Sequence, residues 1–468
     1  MGSAASVDRE SIADLSARFS GVLLLPGDAG YEMARRIHNG LIDRRPALIA
    51  RCLGTADIVD AVNFARTRGL EVAVRGGGHN VAGKAVCDGG LMVDLSLMKG
   101  IHVDPERRTA RAQGAVTWRE FNRATQLHGL ATTGGTVSTT GIAGLTLGGG
   151  LGWLMGKHGL ALDNLLSAEV VTASGEIMQA SEKENADLFW ALCGAGANFG
   201  VVSWFEYRLH PVGQVWSGLV AHPIGRAGEV WRFFREITAA LPDEMTVFAG
   251  LLPAPDGSGA HIAAIMVCHS GALAEGEAAV RPIKRFGPPA LDIIQPTSYE
   301  ATNMLLDAGF PAGALNYWKS SFLAELSDAA IDTMIGQFAA CPSPMSGLLV
   351  EHVHGAATRV GATETAFPHR RDGYNLLIVA EWRDPQDAAR NIAWAREAYG
   401  AMEPYCARAR YVNYLDEDEA SDAVRAAYGP NYDRLRALKT KYDPTNLFRR
   451  NQNIPPGPEN ASPGGASR

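Results

Sequence analysis

The chain has 468 residues, of which 46% are hydrophobic and 20% charged, with 52 glycines and a formal net charge of −7. This length exceeds the size at which one hydrophobic core usually stops growing, so we expect two lobes of a loop-rich globular protein. The negative charge and the lack of a basic stripe argue against nucleic acid, and no apolar run is long enough to span a bilayer.

The N-terminus and the cysteines indicate the compartment and the kind of partner. The N-terminus MGSAASVDRE lacks an apolar signal region, which favours the cytoplasm. The six cysteines are scattered without a C-x-x-C pair, so the sequence indicates neither a zinc site nor a disulfide framework. We therefore expect no metal, nucleic acid or membrane partner, but a small-molecule ligand bound by a monomer or a homodimer.

The first 210 residues alternate short helices with short strands. Helices are predicted over residues 9–19, 31–39, 55–68 and 117–128, the third of them capped by Thr55 and ended by Gly69. The strand-sized runs ALIARC, EVAVR, LMVDLS, IHVD and TARAQG are separated by glycine and Asp-Pro turns. A hairpin turning at Ser174-Gly175, a helix over 186–193 and the strand VVSWFEYRL complete an α+β lobe.

The composition changes near Pro211, where glycine density falls and the strands become longer. The runs QVWSGLVAH, HIAAIMVCHS, GLLVEHVHG and YNLLIVAEW alternate with amphipathic helices predicted over 229–241, 327–340 and 387–402. From Ala420 the chain returns to helix. We therefore divide it into residues 1–210, residues 211–414 and a C-terminal segment, residues 415–468.

Residues 75–80 read RGGGHN, a glycine turn that follows a strand. No helix follows it, so the turn differs from the glycine motifs of Rossmann and P-loop proteins. Successive N–H groups in such a turn can form an anion-binding nest that suits a pyrophosphate, with Arg75 as a counter-charge at its rim. A tight turn with a surface histidine is about equally consistent with this hexapeptide alone.

Two further glycine blocks favour a ligand that is contacted along its length. The block VSTTGIAGLTLGGGLGWL, residues 137–154, places its glycines directly after three hydroxyl side chains. The third block, GAGANFGVV, spans residues 194–202 and ends in a strand. Three such blocks in one lobe favour a dinucleotide over a mononucleotide.

Three longer motifs accompany the glycine blocks, and they read GWLMGKHGLALDNLLSAEVVTASGE, LFWALCGAGANFGVV and YDPTNLFRRNQNIPP. Together, the blocks and these motifs resemble the FAD-linked oxidases of the vanillyl-alcohol oxidase / p-cresol methylhydroxylase (PCMH) fold, in the bacterial berberine-bridge-enzyme-like branch. The resemblance extends from about Pro26 to Pro456. It implies a two-lobed α+β fold with a PCMH-type FAD-binding domain in residues 1–210, its core at about 42–212. A substrate domain follows, whose antiparallel sheet is covered by helices, and residues 415–468 return to the FAD-binding domain.

The resemblance implies that the histidine of the first block carries the flavin. In the family, the histidine of R-G/S-G-G-H is joined to the flavin 8α-methyl carbon, and His79 occupies that position. Many members have a second link through a cysteine in G-x-C-x-x-x-G. The matching stretch here is GTVSTTG, with Val137 at the cysteine position, so we expect a single covalent bond.

The same blocks supply the other residues that the resemblance places around FAD. One of them is Thr140, where some members have a threonine beside the oxygen-reactive edge of the flavin. The rest of the set is Arg75, Gly76, Gly77, Gly78, Asn80, Gly83, Val137, Ser138, Gly141, Gly144, Gly148, Gly149, Leu151, Gly152, Asn164, Gly200, Val201, Asn451 and Asn453.

One strand of the second domain carries two histidines that are candidates for catalytic contact with substrate. In SGLLVEHVHG, alternation puts Val350, His352 and His354 on one face, and Glu351 and Val353 on the other. The family lays such a sheet over the flavin ring, so we predict that the histidine face lines the pocket. A metal pair and ordinary sheet histidines are the alternatives, although no third metal ligand lies nearby in the sequence.

The segment YVNYLD resembles Y-x-N-Y-R-D, in which plant members place a tyrosine near the flavin. Tyr414 is therefore a candidate base or hydrogen-bond donor, and a half-buried aromatic at a domain junction is the alternative. On YNLLIVAEW, Leu377 stands where some plant members have an acidic base or a glutamine, so we expect hydride transfer without a carboxylate from that strand. Asn316, Tyr317 and Lys319 are further candidates for the pocket lining.

The sequence thus predicts an FAD-dependent oxidase that takes a hydride from a C–H bearing OH or NH, with O2 reoxidising the flavin. A dehydrogenase using another acceptor is the alternative redox function. A flavoprotein that binds FAD without turnover, or that catalyses a cyclisation or rearrangement in secondary metabolism, is an alternative of another class. The sequence does not identify the substrate, because a fold does not fix function.

Overall fold

The computed structural model describes residues 8–254, 258–418 and 421–457. Within these ranges, two sheets and a two-stranded ribbon form the N-terminal lobe, and an eight-stranded sheet forms the second lobe. Helices pack on the sheets of both lobes. The α+β architecture predicted from the sequence is confirmed.

The N-terminal lobe begins with a mixed sheet and continues with an antiparallel one. Its strands are β1 (Val22–Leu24), β2 (Leu48–Arg51), β3 (Val72–Arg75), β4 (Leu91–Asp94), β5 (Ile101–Asp104), β6 (Thr109–Gln113), β7 (Leu130–Ala131), β8 (Leu165–Val171), β9 (Ile177–Ser181), β10 (Val201–Arg208) and β11 (His210–Pro211). The first sheet has the order β1-β2-β4-β3, with β4 parallel to both β2 and β3. The second has the order β5-β6-β10-β8-β9.

Most helices of this lobe lie where the hydrophobic periodicity predicts them. They are α1 (Arg9–Ser16), α2 (Tyr31–Ala34), α3 (Thr55–Arg68), α4 (Trp118–Gln126), α5 (Ile142–Leu147), α6 (Met155–His158) and α7 (Ala186–Leu192). The prediction that Thr55 caps α3 is wrong, because its hydroxyl donates to Glu169 and the residue is already helical. Gly69 ends α3 in the left-handed conformation, as predicted.

The second lobe is one antiparallel sheet with helices on one side. Its strands are β12 (Gln214–Pro223), β13 (Met245–Pro253), β14 (His261–His269), β15 (Leu291–Asp292), β16 (Gln295–Ser298), β17 (Leu315–Leu323), β18 (Gly347–Val353) and β19 (Gly373–Trp382). The sheet order is β15-β12-β14-β13-β18-β19-β17, with β16 paired to β12. The helices are α8 (Ala227–Thr238), α9 (Leu273–Arg285), α10 (Tyr299–Asn303), α11 (Asp328–Ala339) and α12 (Ala388–Met402).

Alternation along these strands separates the two faces of the large sheet. Val350 and Ile378 belong to the core that the sheet forms with α8, α9, α11 and α12. Phe248, Leu349 and Leu377 point to the other side, into a core shared with the N-terminal lobe. The rings of Phe248 and Trp153 lie 4.7 Å apart across this junction. The sheet therefore lies between its own helices and the glycine-rich lobe.

The C-terminal helices α13 (Ser421–Tyr428) and α14 (Tyr432–Tyr442) return to the N-terminal lobe. The buried ammonium of Lys439 donates to the backbone oxygens of Asn198 and Phe448 at 2.7 and 3.0 Å, and pairs with Asp443. We propose the division of the chain into residues 1–210, 211–414 and 415–468, of which 1–7, 255–257, 419–420 and 458–468 lie outside the described residues. None of the helices in the described part combines the length and apolarity that crossing a bilayer requires.

Candidate active site

The RGGGHN turn follows β3 and lies against the N-terminal end of α5. A Cβ added to Gly77 would lie 2.5 Å from the Cα of Gly141, and one added to Gly141 would lie 2.6 Å from the amide nitrogen of Gly77. Gly78 has a φ of 69°, in the left-handed region that disfavours side chains. Two glycine blocks thus pack backbone against backbone, which explains why glycine is required at this point.

His79 projects from this turn beside a second histidine. Its ring stacks on the ring of His38 with centroids 3.7 Å apart, and its Nε2 lies 3.2 Å from the hydroxyl oxygen of Thr139. Burial, with a smaller contribution from His38, lowers the pKa of His79 to about 3. The imidazole is therefore neutral at neutral pH and retains the nitrogen lone pair that a bond to a flavin carbon requires.

A cavity of about 240 Å³ lies between the glycine blocks and the large sheet. The predicted cofactor residues that line it are Gly76, Gly77, Gly78, His79, Asn80, Val137, Thr140, Gly141, Gly144, Leu151 and Asn451. Residues of the same lobe and of the C-terminal segment that sequence reasoning missed are Val72, Val74, Lys84, Ala85, Thr136, Leu145, Gly196, Ala197, Asn198, Tyr428, Phe448, Arg450 and Gln452. Several of these residues stand within the motifs already identified from the sequence. Taking every residue of those motifs as a candidate would therefore have included them.

Arg75 does not lie at the rim of this cavity as expected. Its guanidinium donates to both carboxylate oxygens of the fully buried Asp94, at 2.8 and 2.6 Å. It lines a separate cavity of about 580 Å³ behind the turn. The cationic side chains of Lys84 and Arg450 line the main cavity.

Another group of predicted cofactor residues lies outside the lining, where several of them take part in close packing or in hydrogen bonds. These are Gly83, Ser138, Gly148, Gly149, Gly152, Asn164, Gly200, Val201 and Asn453. A Cβ on Gly152 would lie 1.6 Å from the carbonyl oxygen of Gly134, and one on Gly200 would lie 2.6 Å from that of Val171. Asn164 donates to the carbonyls of His158 and Leu160. The high glycine content therefore reflects close chain packing as well as the cavity.

The sheet side of the cavity is formed by one face of the large sheet. It is lined by Phe248, Trp318, Leu349, Glu351, Leu377 and Tyr414, with Leu306 and Phe310 from the segment between α10 and β17. Leu349 and Glu351 come from β18, and Leu377 from β19. The strand alternation was predicted correctly, but the face of β18 toward the cavity carries Glu351.

The prediction that His352 and His354 line the pocket is therefore wrong. Their rings stack on each other, with centroids 4.8 Å apart, on the opposite face of β18. His354 donates from Nε2 to the carbonyl of Met245 at 2.9 Å, and His352 lies 3.3 Å from a carboxylate oxygen of Asp372. Both are buried, and burial lowers the pKa of His352 to about 4. Parity alone cannot tell which face of a fully buried strand meets a ligand.

Glu351 is held by two side chains that donate to it. The phenol of Tyr414 donates to Oε1 at 3.2 Å, and Nδ2 of Asn375 donates to Oε2 at 2.7 Å. Burial raises the pKa of Glu351 to about 7, against the lowering effect of these two bonds. Burial and the adjacent Glu351 raise the pKa of Tyr414 well above its usual value. Glu351 is thus a proton acceptor near neutral pH, while Tyr414 remains a donor.

Tyr411 and Asn413 connect this pair to the second glycine block. The hydroxyl oxygen of Tyr411 accepts from the amides of Gly150 and Leu151, at 2.9 and 3.3 Å. Nδ2 of Asn413 donates to the carbonyl of Leu145 and to the Tyr411 hydroxyl, both at 3.0 Å. Both residues belong to YVNYLD, so the motif that identified Tyr414 could also have identified them.

Of the polar candidates on β17, Tyr317 and Lys319 turn away from the cavity, which Trp318 lines instead; Asn316 lies on the same face as Trp318 but does not line the cavity. Tyr317 and Lys319 both donate to Asp418, at 2.7 and 2.8 Å. Asn316 accepts from Nε1 of Trp318 at 3.0 Å. Because side chains alternate along a strand, Trp318 lies opposite its two sequence neighbours.

A pair of interlobe contacts holds the segment that carries Leu306 and Phe310. Asp307 accepts from the amide and the hydroxyl of Ser138, at 2.8 and 2.5 Å. The side chain of Asn303 donates to the carbonyl of Gly135. Ser138 therefore joins the glycine block to the sheet side of the cavity, although it does not line the cavity itself.

The fold and this site define an FAD-linked oxidoreductase. A family described as FAD binding domain matches residues 46–181, and one described as berberine and berberine like matches residues 410–455. The chain is 32% identical to (R)-6-hydroxynicotine oxidase of Paenarthrobacter nicotinovorans over 93% of its length and 97% of that protein. It is 31% identical to an FAD-linked oxidoreductase of Dictyostelium discoideum, over 88% of this chain and 89% of that one.

A solved structure has a similar fold. The crystal structure of 6-hydroxy-D-nicotine oxidase from Arthrobacter nicotinovorans matches with a TM-score of 0.84 and 30% identity, over 94% of this chain and 98% of that one. The chain belongs to the berberine-bridge-enzyme-like branch of the FAD-linked oxidoreductases, as its motifs predicted.

The residues present fit an FAD. The glycine turn leaves backbone N–H groups without side chains over them, and Lys84 and Arg450 supply positive charge. The buried Oδ1 of Asn451 has no hydrogen-bond partner in the described ranges, so it is available as an acceptor. Nowhere in these ranges do three or more His, Cys, Asp or Glu side chains converge as a metal site would require.

Proposed function

We propose that the protein is an FAD-dependent oxidase that takes a hydride from a carbon bearing an OH or NH group of a small molecule. The observation that carries this proposal is the Glu351–Tyr414 pair, which faces the glycine blocks across one cavity. When bound, the flavin supplies the two-electron acceptor, and O2 reoxidises it to give hydrogen peroxide. We further propose that FAD is held through a single covalent bond to His79, since Val137 cannot form a second one.

The chain's own residues supply proton transfer and water exclusion. Glu351 accepts the proton of the substrate OH or NH, which increases the electron density at the carbon that loses hydride. Tyr414 donates to Glu351 and fixes the orientation of the carboxylate, and Asn375 supports the same carboxylate from β19. The surrounding apolar side chains keep water from this point. Thr140 and Val137 line the cavity on the glycine side, where oxygen would approach.

Mixing the holoenzyme anaerobically with candidate donors tests the proposal. A panel of secondary amines, alcohols, sugars and polyketide-like phenols should contain a compound that bleaches the flavin absorbance, and air should restore it with release of peroxide. Bleaching without reoxidation by air would indicate a dehydrogenase. A flavin that no donor reduces would favour a non-redox function instead.

Glu351→Gln is the informative variant, and Glu381→Gln is its matched control. Glu381 is also a buried glutamate of the large sheet, on β19, but it does not line the cavity. We expect flavin reduction in Glu351→Gln to be at least ~100-fold slower, as is usual when a general base is removed. The rate in Glu381→Gln should match wild type.

The cytoplasmic location and the oligomeric state, monomer or homodimer, stay predictions.

A further inference from the structure

The sheet side of the cavity is almost entirely apolar. Its lining consists of Phe248, Leu306, Phe310, Trp318, Leu349 and Leu377, together with Glu351 and Tyr414. Three of the six apolar residues are aromatic, and they present flat surfaces suited to a ring. The substrate region is thus an apolar chamber with one polar corner.

The donors of this region are already engaged within the protein. Trp318 donates from Nε1 to Asn316, and its ring packs edge-on against Phe310 and Tyr414. The hydroxyl of Tyr414 and the amide nitrogen of Asn375 both donate to Glu351. The polar corner therefore offers acceptors, namely the remaining lone pairs of Glu351 and of the Tyr414 oxygen.

Glu351 also lacks a positive partner. No lysine, arginine or histidine forms an ion pair with it in the described ranges, and the groups bonded to its carboxylate are both neutral. Lys84 and Arg450 line the same cavity, but they belong to the glycine side, and Arg450 donates to the carbonyl of Val86. An ionised Glu351 would thus be the one negative charge on an otherwise apolar wall.

We propose that the substrate is an amine on an apolar ring, bound with its nitrogen at Glu351 and its ring against Trp318 and Phe310. A protonated amine supplies both the donors and the positive charge that this corner lacks. This proposal rests on the proposed function, since Glu351 then accepts the amine proton before the neighbouring carbon is oxidised.

The same wall disfavours two other classes of substrate. The hydroxyls of a sugar that lie away from Glu351 and Tyr414 would be buried against Phe248, Leu349 or Leu377 without a partner, which is unfavourable. A carboxylate beside the ring would meet Glu351 as a like charge, and among the described residues no cation lines the sheet side of the cavity to separate them. The hydroxyl of an alcohol on the same ring would donate one hydrogen bond to Glu351. It would supply no positive charge to balance the carboxylate.

Three probes on a phenyl scaffold, namely 1-phenylethylamine, 1-phenylethanol and mandelate, and one disaccharide, cellobiose, separate these classes. Anaerobic calorimetry on the oxidised holoenzyme at pH 8 should show the amine binding at least ~10-fold more tightly than the alcohol, and mandelate and cellobiose more weakly still. Cellobiose or mandelate binding as tightly as the amine, or no detectable binding of the amine, would overturn the proposal.

Variants assign the preference to Glu351 and keep the two proposals distinguishable. In Glu351→Gln, the amine should lose its advantage, with a Kd within about threefold of that of 1-phenylethanol, whereas Glu381→Gln should keep the wild-type ratio. An unchanged ratio in Glu351→Gln would contradict the assignment. If the amine binds as expected but neither it nor any other donor bleaches the flavin, the proposed redox function is contradicted. The proposal that the cavity binds an amine on an apolar ring would still hold.

Discussion

The phenol of Tyr414 donates a hydrogen bond of 3.2 Å to Glu351, and this contact joins the C-terminal part of the chain to the middle of the large sheet. Tyr414 belongs to the segment that Tyr411 anchors to the glycine block, while Glu351 belongs to the second lobe. The pair proposed to handle the substrate proton thus lies where the large sheet meets the segment that is anchored to the glycine block. Changes in the packing between this segment and the large sheet should therefore directly affect the proposed proton transfer.

Substitutions along β18 should divide by the face on which they lie. Glu351→Gln should lower kcat/KM by at least ~100-fold, whereas His352→Gln and His354→Gln should leave it within about threefold of wild type, because neither histidine lines the cavity. The histidine variants should instead lower the melting temperature, since each removes a buried contact. Essential histidines with a dispensable Glu351 would place the flavin on the other face of the sheet.

Flavin reduction should depend on pH through Glu351. Burial raises its pKa to about 7, so the rate measured by stopped flow should rise between pH 6 and pH 8 and level off above that range. The Glu351→Gln variant should show no such rise. A wild-type profile without an acid limb in this range would mean that another group accepts the proton.

The same raised pKa predicts an effect on stability. The folded-state value of about 7 lies above the ordinary value of 4.5, so the folded chain binds more protons than the unfolded chain between these pH values. The contribution of Glu351 to stability is therefore full below pH 4.5 and is lost as the pH rises through 7. Denaturant titrations should show Glu351→Gln gaining stability relative to wild type on going from pH 5 to pH 8.

The covalent attachment has a direct chemical test. Acid-precipitated wild type should stay yellow, and a digest should yield one flavinylated peptide, containing His79. His79→Ala should fold and bind FAD that acid releases, because the glycine blocks and Asn451 still line the cavity, and it should turn over more slowly. Flavin recovered on a cysteine peptide would contradict the single-link proposal.

The Ser138–Asp307 contact should affect substrate binding more than chemistry. Asp307→Ala removes both hydrogen bonds between Ser138 and the segment carrying Leu306 and Phe310, so KM should rise by about 10-fold, with kcat changed less. Asp372→Ala, at an exposed carboxylate outside the cavity, serves as a control and should leave KM unchanged. A fall in kcat at constant KM would show that the contact positions the reacting groups instead.

The sequence predicted most helices and strands because their hydrophobic periods are regular, as in α12 and β19. It also predicted that the glycine blocks come together, since glycine at that density is required mainly where the backbone closely approaches a ligand or another segment of the chain. Strands β13 and β17 were both missed. Strand β17 lies in a run where polar residues such as Asn316 and Lys319 are buried by specific partners, Trp318 and Asp418. Which face of β18 lines the cavity depends on which face the N-terminal lobe covers. Long-range packing sets this, so the sequence of the strand alone does not reveal it.

Reoxidation of the reduced flavin tests the central proposal, an oxidase, without knowledge of the substrate. The holoenzyme is reduced anaerobically with one equivalent of dithionite and mixed with air-saturated buffer in a stopped-flow instrument. The oxidase proposal predicts reoxidation at least ~10-fold faster than that of free reduced FAD, a barrier lowered by about 1.4 kcal/mol or more, with one peroxide released per flavin. Reoxidation no faster than that of free FAD, with rapid recovery on adding an artificial acceptor, would contradict it.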